Sequence, residues 1–173
     1  MEAIPQVFQK LTANIAMYPR QRPLNYLLSD RDGETMTFNV ADNGGASSSI
    51  FEFADHKKLW PTVGFAEKIE LVSYTLPTMI AREAIDLAQY DALLLDTQGA
   101  ELLILQGGAS CLSAFRYIMA EAADFPSYEG GAMLDEIVAF LGEHGFSVHS
   151  MEKFGSLEGV GNYFNVLFHR QPA

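Results

Sequence analysis

Hydrophobic and polar positions along the chain follow helical spacing in some stretches and strict alternation in others. These two patterns predict helices and strands, which alternate along most of the sequence. One predicted helix lies at about 5–17, and a short one begins after the N-cap residue Thr75, with a continuation over 81–89. Two more are predicted, one from Glu101 onward and one from Met133 to Leu141. The predicted strands lie at 24–28, 34–40, 67–74, 92–96, 117–120, 146–151 and 163–169.

One stretch, from Asp91 to Glu121, organises the predicted fold. Ala92 to Leu95 is a continuous apolar run, which is typical of a strand buried on both faces in the middle of a parallel sheet. That run ends at Asp96, and the next predicted strand ends at Glu121. Because ligands bind at the carboxyl ends of strands in open α/β sheets, both acids are candidate site residues. The alternative is that Asp96 caps a helix and Glu121 is a solvated loop acid.

Turn residues add two hairpins to this pattern. Asp32-Gly33 predicts a hairpin between the strands at 24–28 and 34–40, and a short connection predicts another before the strand at 163–169. Strands that alternate with helices indicate an α/β fold, with a sheet that is mostly parallel and a final strand that is antiparallel. Without an internal repeat or composition change, a single domain over residues 1–173 is expected.

Composition and charge narrow the class of protein. The chain has 173 residues, 49% of them hydrophobic, which is enough for a buried core, and a net charge of −11. Such an acidic surface repels phosphate groups. Neither nucleic acid nor an anionic membrane is therefore expected as a partner. A single cysteine, Cys111, allows no intrachain disulfide and lacks zinc-ligand spacing, so no metal site is expected. Together with the lack of a signal sequence or long apolar run, this predicts a cytoplasmic protein.

Two further features have both a structural and a functional interpretation. The polar loop Asn43–Ser49 is either a flexible surface loop or a segment that closes over a ligand. His56 lies in an aromatic segment, and is either an ordinary surface residue or a general base.

Several motifs, in one order, resemble the signature of the FkbM family of methyltransferases. The central ones are Asp96-Thr-Gln-Gly-Ala-Glu101, Leu105-Gln-Gly-Gly108 and a strand that ends in Glu121. The supporting ones are Leu28-Ser-Asp-Arg-Asp-Gly33, Asn43–Ser49, and Phe125–Gly130 followed by an amphipathic helix and Gly145-Phe146. Each motif is weak alone, but together they cover nearly the whole chain.

This resemblance implies a Rossmann-like methyltransferase fold and S-adenosylmethionine as the methyl donor. The acceptor would be a small molecule, with a sugar or polyketide hydroxyl that receives the methyl group. Family positions place Glu2 at the cofactor ribose, Asp30 near the adenine, and Asp96 beside the methyl group. Asp96 and Glu121 would then be the catalytic residues. Glu121, Tyr128 and His56 are the candidates for contact with the acceptor.

The chain departs from the family pattern at one point. The family carries a Gly-rich strand-turn-helix upstream of these motifs, and no such stretch is present here. The chain therefore resembles the C-terminal two-thirds of the family domain, truncated at its N-terminus. This supports a second hypothesis, a non-catalytic domain that acts as a binding module or needs a partner chain. For either function, the uncovered apolar surface predicts self-association, and so a homo-oligomer, or poor solubility. A hydrolase is disfavoured, because no Gly-x-Ser-x-Gly motif occurs.

Overall fold

Two mixed β-sheets form the frame of the protein. The computed structural model describes residues 1–171, so the last two residues of the predicted domain lie outside it. The helices are α1 Pro5–Ile15, α2 His56–Leu59, α3 Leu76–Arg82, α4 Glu101–Gly107 and α5 Leu134–Glu143, with short 3₁₀ helices at Leu87–Gln89 and Ala109–Ala114. The strands are β1 Leu27–Leu28, β2 Thr35–Ala41, β3 Phe65–Tyr74, β4 Ala92–Leu95, β5 Tyr117–Ala123, β6 Phe146–Leu157 and β7 Gly161–Arg170.

The first sheet has three strands in the order β1-β3-β2. β1 runs parallel to β3 and β2 runs antiparallel to it, so the predicted β1–β2 hairpin is wrong. The Asp32-Gly33 turn does form, with Gly33 at φ +79°, but its Gly33 N–H donates to the Ser73 carbonyl of β3. Ten-residue β3 therefore separates the two strands that the turn was expected to pair.

The second sheet has four strands in the order β4-β5-β7-β6. β4 and β5 are parallel, whereas β7 is antiparallel to both β5 and β6, which confirms the predicted antiparallel final strand. Within residues 1–171, two of the five strand pairs are parallel, so a mostly parallel sheet is not confirmed. The reason is local: the β6–β7 hairpin forces antiparallel pairing, and β7 inserts beside β5.

The position of β4 differs from the prediction. The run Ala92–Leu95 was expected in the middle of a sheet, but in the described residues β4 lies at an edge. Its burial alternates, with Leu93 9% and Leu95 3% exposed but Leu94 62% exposed. An apolar run fits both a central strand and an edge strand. Here the face of β4 that carries Leu94 borders a cavity rather than a helix.

The main hydrophobic core lies between the second sheet and helices α4 and α5. Its most buried side chains are Ile104, Leu105, Ile118, Ile137, Leu141 and Val166, all at most 2% exposed. Each such side chain stabilises the fold by about 1.5–3 kcal/mol relative to exposure. This packing fixes α4 against β4 and β5, and so fixes the loop that precedes α4.

Helix α3 begins where the sequence predicted. The Thr75 side chain accepts a hydrogen bond from the Thr78 N–H, as an N-cap residue does. The helix ends at Arg82, so the predicted continuation over 81–89 is replaced by a turn at Ala84, with φ +50°, and a short 3₁₀ helix.

No helix within residues 1–171 is long and apolar enough to cross a membrane.

Candidate functional site

The loop from Asp96 to Ala100, between β4 and α4, is the centre of the candidate site. Glu101, the first residue of α4, holds this loop in place by accepting hydrogen bonds from its backbone. Its Oε1 accepts from the Thr97 N–H at 2.6 Å and its Oε2 from the Gly99 N–H at 2.9 Å. The side chain is 2% exposed, and this burial raises the pKa of the Glu101 carboxyl. Glu101 therefore fixes the shape of the loop through these hydrogen bonds.

Asp96 and Glu121 come together, Asp96 directly after the end of β4. The predicted end of the next strand at Glu121 is wrong, because β5 continues to Ala123 and Glu121 pairs with Asn165 of β7 inside it. Both carboxylates accept hydrogen bonds from the Gln98 amide, Asp96 at 2.6 Å and Glu121 at 3.1 Å. Asp96 is not the N-cap of α4, because that position is Ala100. Burial and then repulsion from Asp96 raise the pKa of Glu121 to about 7, and the Gln98 hydrogen bond partly offsets them.

A cavity of about 440 Å³ opens on the Asp96 side of the loop. It lies between the two sheets, with the N-terminal segment on one side and the end of β4 on the other. The predicted residues Glu2 and Asp96 both line it, with apolar Leu28, Phe38 and Ile50 between them. Gly45, Ala46 and Ser48 also line this cavity, so the polar loop is part of its wall.

A second, much smaller cavity lies on the Glu121 side. Its volume is about 20 Å³, enough for a single water molecule or one hydroxyl group. Its walls carry two carboxyl and three hydroxyl groups, from Glu101, Glu121, Ser127, Tyr128 and Tyr163. Gln98 lines both cavities and is therefore the partition between them.

Tyr128 is fixed from several directions. Its hydroxyl donates to Gln98 Oε1 at 2.7 Å, and the side chain is 3% exposed. Burial raises the pKa of Tyr128 well above its usual range, so the hydroxyl stays protonated. Close backbone approach supports this arrangement, because a Cβ at Gly99 would lie 3.3 Å from the Tyr128 Cβ.

His56 is a buried residue, not a surface one. Its ring stacks on Phe53 with centroids 4.8 Å apart, and Nδ1 lies 2.9 Å from the Tyr163 hydroxyl. Burial lowers its pKa to about 4. His56 lines neither cavity, but it contacts Ser127, Tyr128 and Tyr163, which line the smaller one.

Asp30 stands apart from the other predicted residues. Its Oδ1 accepts from the Ser29 hydroxyl at 3.1 Å, and its backbone packs so closely on α4 that a Cβ at Gly107 would lie 2.8 Å from the Asp30 Cα. Asp30 does not line the larger cavity with Glu2 and Asp96. Its proposed contact with an adenine ring stays a prediction.

Three residues of the site had no assigned role in the sequence. Gln98 lies inside the quoted motif, so its position was visible but its function was not. Ser127 and Tyr163 share a hydrogen bond at the smaller cavity. Ser127 lies inside the quoted Phe125–Gly130 motif, which gave it no role. Tyr163 is brought near Glu121 by the pairing of β5 with β7, in which Ala123 faces Tyr163.

The electrostatic character of both cavities is acidic. Glu2, Asp96, Glu101 and Glu121 line one or the other, and none of the described lining residues is a lysine or an arginine. In the part of the chain that the structure describes, no three His, Cys, Asp or Glu side chains are grouped to hold a metal ion. Such walls suit a cationic or neutral polar ligand.

The fold and the site define an α/β protein whose ligand cavity lies at the carboxyl end of a parallel strand pair. Residues 1–148 match the model of the methyltransferase FkbM domain, and the chain belongs to this family. It is 26% identical over 146 residues to the 2-O-methyltransferase NoeI of Sinorhizobium fredii (strain NBRC 101917 / NGR234). That match covers 81% of the chain but 59% of the relative. No solved structure matches the chain significantly.

Proposed function

We propose that the protein is an S-adenosylmethionine-dependent O-methyltransferase that acts on a hydroxyl group of a sugar or another small molecule. Family membership and the activity named for the Sinorhizobium relative support this proposal. The observation that carries it is the pairing of two cavities across Gln98, with Asp96 on one side and Glu121 on the other. We also infer a Rossmann-like methyltransferase arrangement, in which β4 and β5 are its parallel strands.

The larger cavity fits the proposed methyl donor in size and chemistry. Its 440 Å³ falls in the range of about 300–1,000 Å³ that is usual for small-molecule pockets. The Glu2 carboxylate is suited to accept hydrogen bonds from ribose hydroxyls, and Phe38 and Ile50 offer apolar surface to an adenine ring. The Asp96 carboxylate offers a negative charge to a sulfonium. S-adenosylmethionine would supply a methyl group on that sulfonium: the acceptor oxygen would bond to the methyl carbon as the carbon–sulfur bond breaks, and S-adenosylhomocysteine would leave as a neutral thioether.

The smaller cavity supplies what an acceptor hydroxyl needs. Its volume admits one hydroxyl group beside the Glu121 carboxyl. With a pKa of about 7, Glu121 is partly ionised at neutral pH, and the proton of the acceptor hydroxyl passes to its carboxylate as the oxygen gains a carbon. Tyr128 keeps its own proton and, by donating to Gln98, holds the wall of the cavity in place.

A second candidate function is a domain that needs a partner chain. The free edge of β4 favours it, because Leu94 is 62% exposed there and no described strand pairs with its outer side. In this case the chain would bind ligands or a partner without transferring a methyl group by itself.

A methyl-transfer assay separates these candidates. The wild type and Glu121→Gln are incubated with labelled S-adenosylmethionine and a panel of neutral sugars, with the exposed Glu129→Gln as the control. Loss of a general base should reduce turnover by about 10²–10⁴-fold while donor binding is kept. Donor binding without transfer to any acceptor would favour the second candidate.

A further inference from the structure

Gln98 has every polar atom of its side chain and its carbonyl engaged. Its Nε2 donates to Asp96 Oδ1 at 2.6 Å and to Glu121 Oε1 at 3.1 Å, and its Oε1 accepts from the Tyr128 hydroxyl at 2.7 Å. Its backbone carbonyl accepts from the Ser49 hydroxyl at 2.7 Å. One residue therefore connects its own loop to Ser49, Glu121 and Tyr128, which lie 49, 23 and 30 residues away in the sequence.

The backbone of Gln98 is in a conformation that side chains disfavour. Its φ is +54°, and within residues 1–171 only Ala84 shares a positive φ without being glycine. Glycine would adopt this conformation at no steric cost. Such strain persists where the surroundings enforce it, and it is found preferentially at functional sites. The hydrogen bonds of the side chain are what a glycine would not provide.

The amide chemistry of Gln98 matches its neighbours. Two carboxylates need donors, and the tyrosine hydroxyl needs an acceptor, which an amide offers on one planar group. A carboxylate at this position would add a third acid beside Asp96 and Glu121. An aliphatic side chain would leave both acids and Tyr128 without these partners.

We infer that Gln98 is a positioning residue, which holds the Asp96 and Glu121 carboxylates in one hydrogen-bonded unit at the partition between the two cavities. Its catalytic meaning rests on the proposed methyl transfer, but the hydrogen-bonded unit itself does not. Through this unit, Gln98 sets the pH at which Glu121 accepts a proton and keeps its oxygen directed at the smaller cavity.

The groups around Glu121 show why Gln98 controls its titration. Asp96 and Glu101 both repel a negative charge on Glu121, and the nearby Tyr128 and Tyr163 hydroxyls are neutral. No lysine or arginine is among the described residues that line either cavity. The Gln98 hydrogen bond is the contact that favours the ionised form.

Titration of the Glu121 carboxyl tests this inference without any methyl transfer. Protein labelled with ¹³C at the glutamate side chains is followed by NMR from pH 4 to pH 10, and Glu121→Gln identifies the Glu121 signal. In Gln98→Ala, the titration midpoint of Glu121 should move up by about one pH unit, because a charge-assisted hydrogen bond is lost. The exposed Gln106→Ala, a glutamine on α4, should leave the midpoint unchanged.

Gln98→Gly guards against a folding artefact. It removes the amide and also relieves the positive φ that alanine would keep, so it should fold at least as stably as Gln98→Ala and show the same upward movement. An unchanged Glu121 midpoint in both variants would overturn the inference. A moved midpoint in a protein that transfers no methyl group would keep the inference and reject the proposed function. In an active enzyme, the pH at which turnover rises should move with the midpoint.

Discussion

Glu121 lies in an environment that differs from that of an ordinary glutamate. It is partly buried, it faces Asp96, and its pKa is raised to about 7. Enzymes use this kind of shift to obtain a base that can take up a proton near neutral pH. The same shift affects folding, so it can be tested on stability alone.

Glu121 should make the stability of the fold decrease as the pH rises. Because the folded pKa is raised from 4.5 to about 7, the unfolded chain releases this proton first. The stabilisation is fully present below the unfolded value and is lost as the pH rises through 7. Discounted for partial exposure, Glu121→Gln should be about 2–3 kcal/mol more stable than the wild type at pH 8. Urea unfolding at pH 8 and pH 4.5 measures this difference. An advantage of equal size at both pH values would contradict the assignment.

Glu2 and Asp96 should differ in what they contribute. Glu2→Ala removes a carboxylate from the wall of the larger cavity and should weaken S-adenosylmethionine binding about tenfold or more, measured by calorimetry. Asp96→Asn keeps the size of the side chain and should reduce turnover more than binding. Glu158→Ala, in an exposed turn, is the matched control. If Asp96→Asn abolished binding and Glu2→Ala had no effect, the two roles would be assigned to the wrong residues.

At the scale of elements, the loop between β4 and α4 depends on a single buried carboxylate. Glu101 accepts from the N–H groups of Thr97 and Gly99 and from the Thr97 hydroxyl. Its removal leaves those donors without partners. Glu101→Ala should therefore cost about 2–4 kcal/mol of stability and lower the melting temperature by about 5–15 °C. Glu143→Ala, at the exposed end of α5, is the control, and an equal small change in both variants would contradict this role.

The sequence predicted the positions of helices and strands better than it predicted which strands pair with each other. Periodicity located β3, β7 and α5, because these segments show their buried face in the spacing of their own apolar residues. The run Ala92–Leu95 did not reveal its edge position, because an apolar run fits a strand buried on one face or on both. The Asp32-Gly33 turn forms without the expected hairpin, because β3 lies between β1 and β2 and pairs with both.

The candidate site was predictable only in part, for the same reason. The rule that parallel strands end at the same edge located Asp96, which follows β4, and placed Glu121 near it, although β5 continues past Glu121 to Ala123. Gln98 required its φ and its three side-chain hydrogen bonds to be seen. Tyr163 is brought to Glu121 by a strand pair more than 40 residues apart in sequence, which no local pattern encodes.

At the scale of the whole molecule, the two sheets meet at the larger cavity. Phe38 borders it from the first sheet, with Glu2 beside it from the N-terminal segment, and Leu94 and Asp96 border it at the end of β4. A ligand in this cavity would contact both sheets, and so should stabilise the folded chain as a whole. The net charge of −11 disfavours anionic ligands over the whole surface, in addition to the acidic cavity walls.

Charge should restrict the acceptor to neutral or cationic molecules. The acidic walls and the absence of lysine or arginine among the described lining residues disfavour phosphate or carboxylate groups on the acceptor. Neutral sugars should be methylated about tenfold faster or more than their phosphates or uronic acids at low salt. The difference should shrink as salt screens the charges. Equal rates for neutral and anionic acceptors at low salt would contradict this expectation.

Isothermal titration of the chain with S-adenosylmethionine tests the central proposal most directly. The account predicts saturable binding of one molecule per chain, weakened by Glu2→Ala and unaffected by Glu158→Ala, because Glu2 lines the larger cavity and Glu158 does not. Correctly folded protein that produces no binding heat at any accessible concentration, and gains no thermal stability from the ligand, would contradict it.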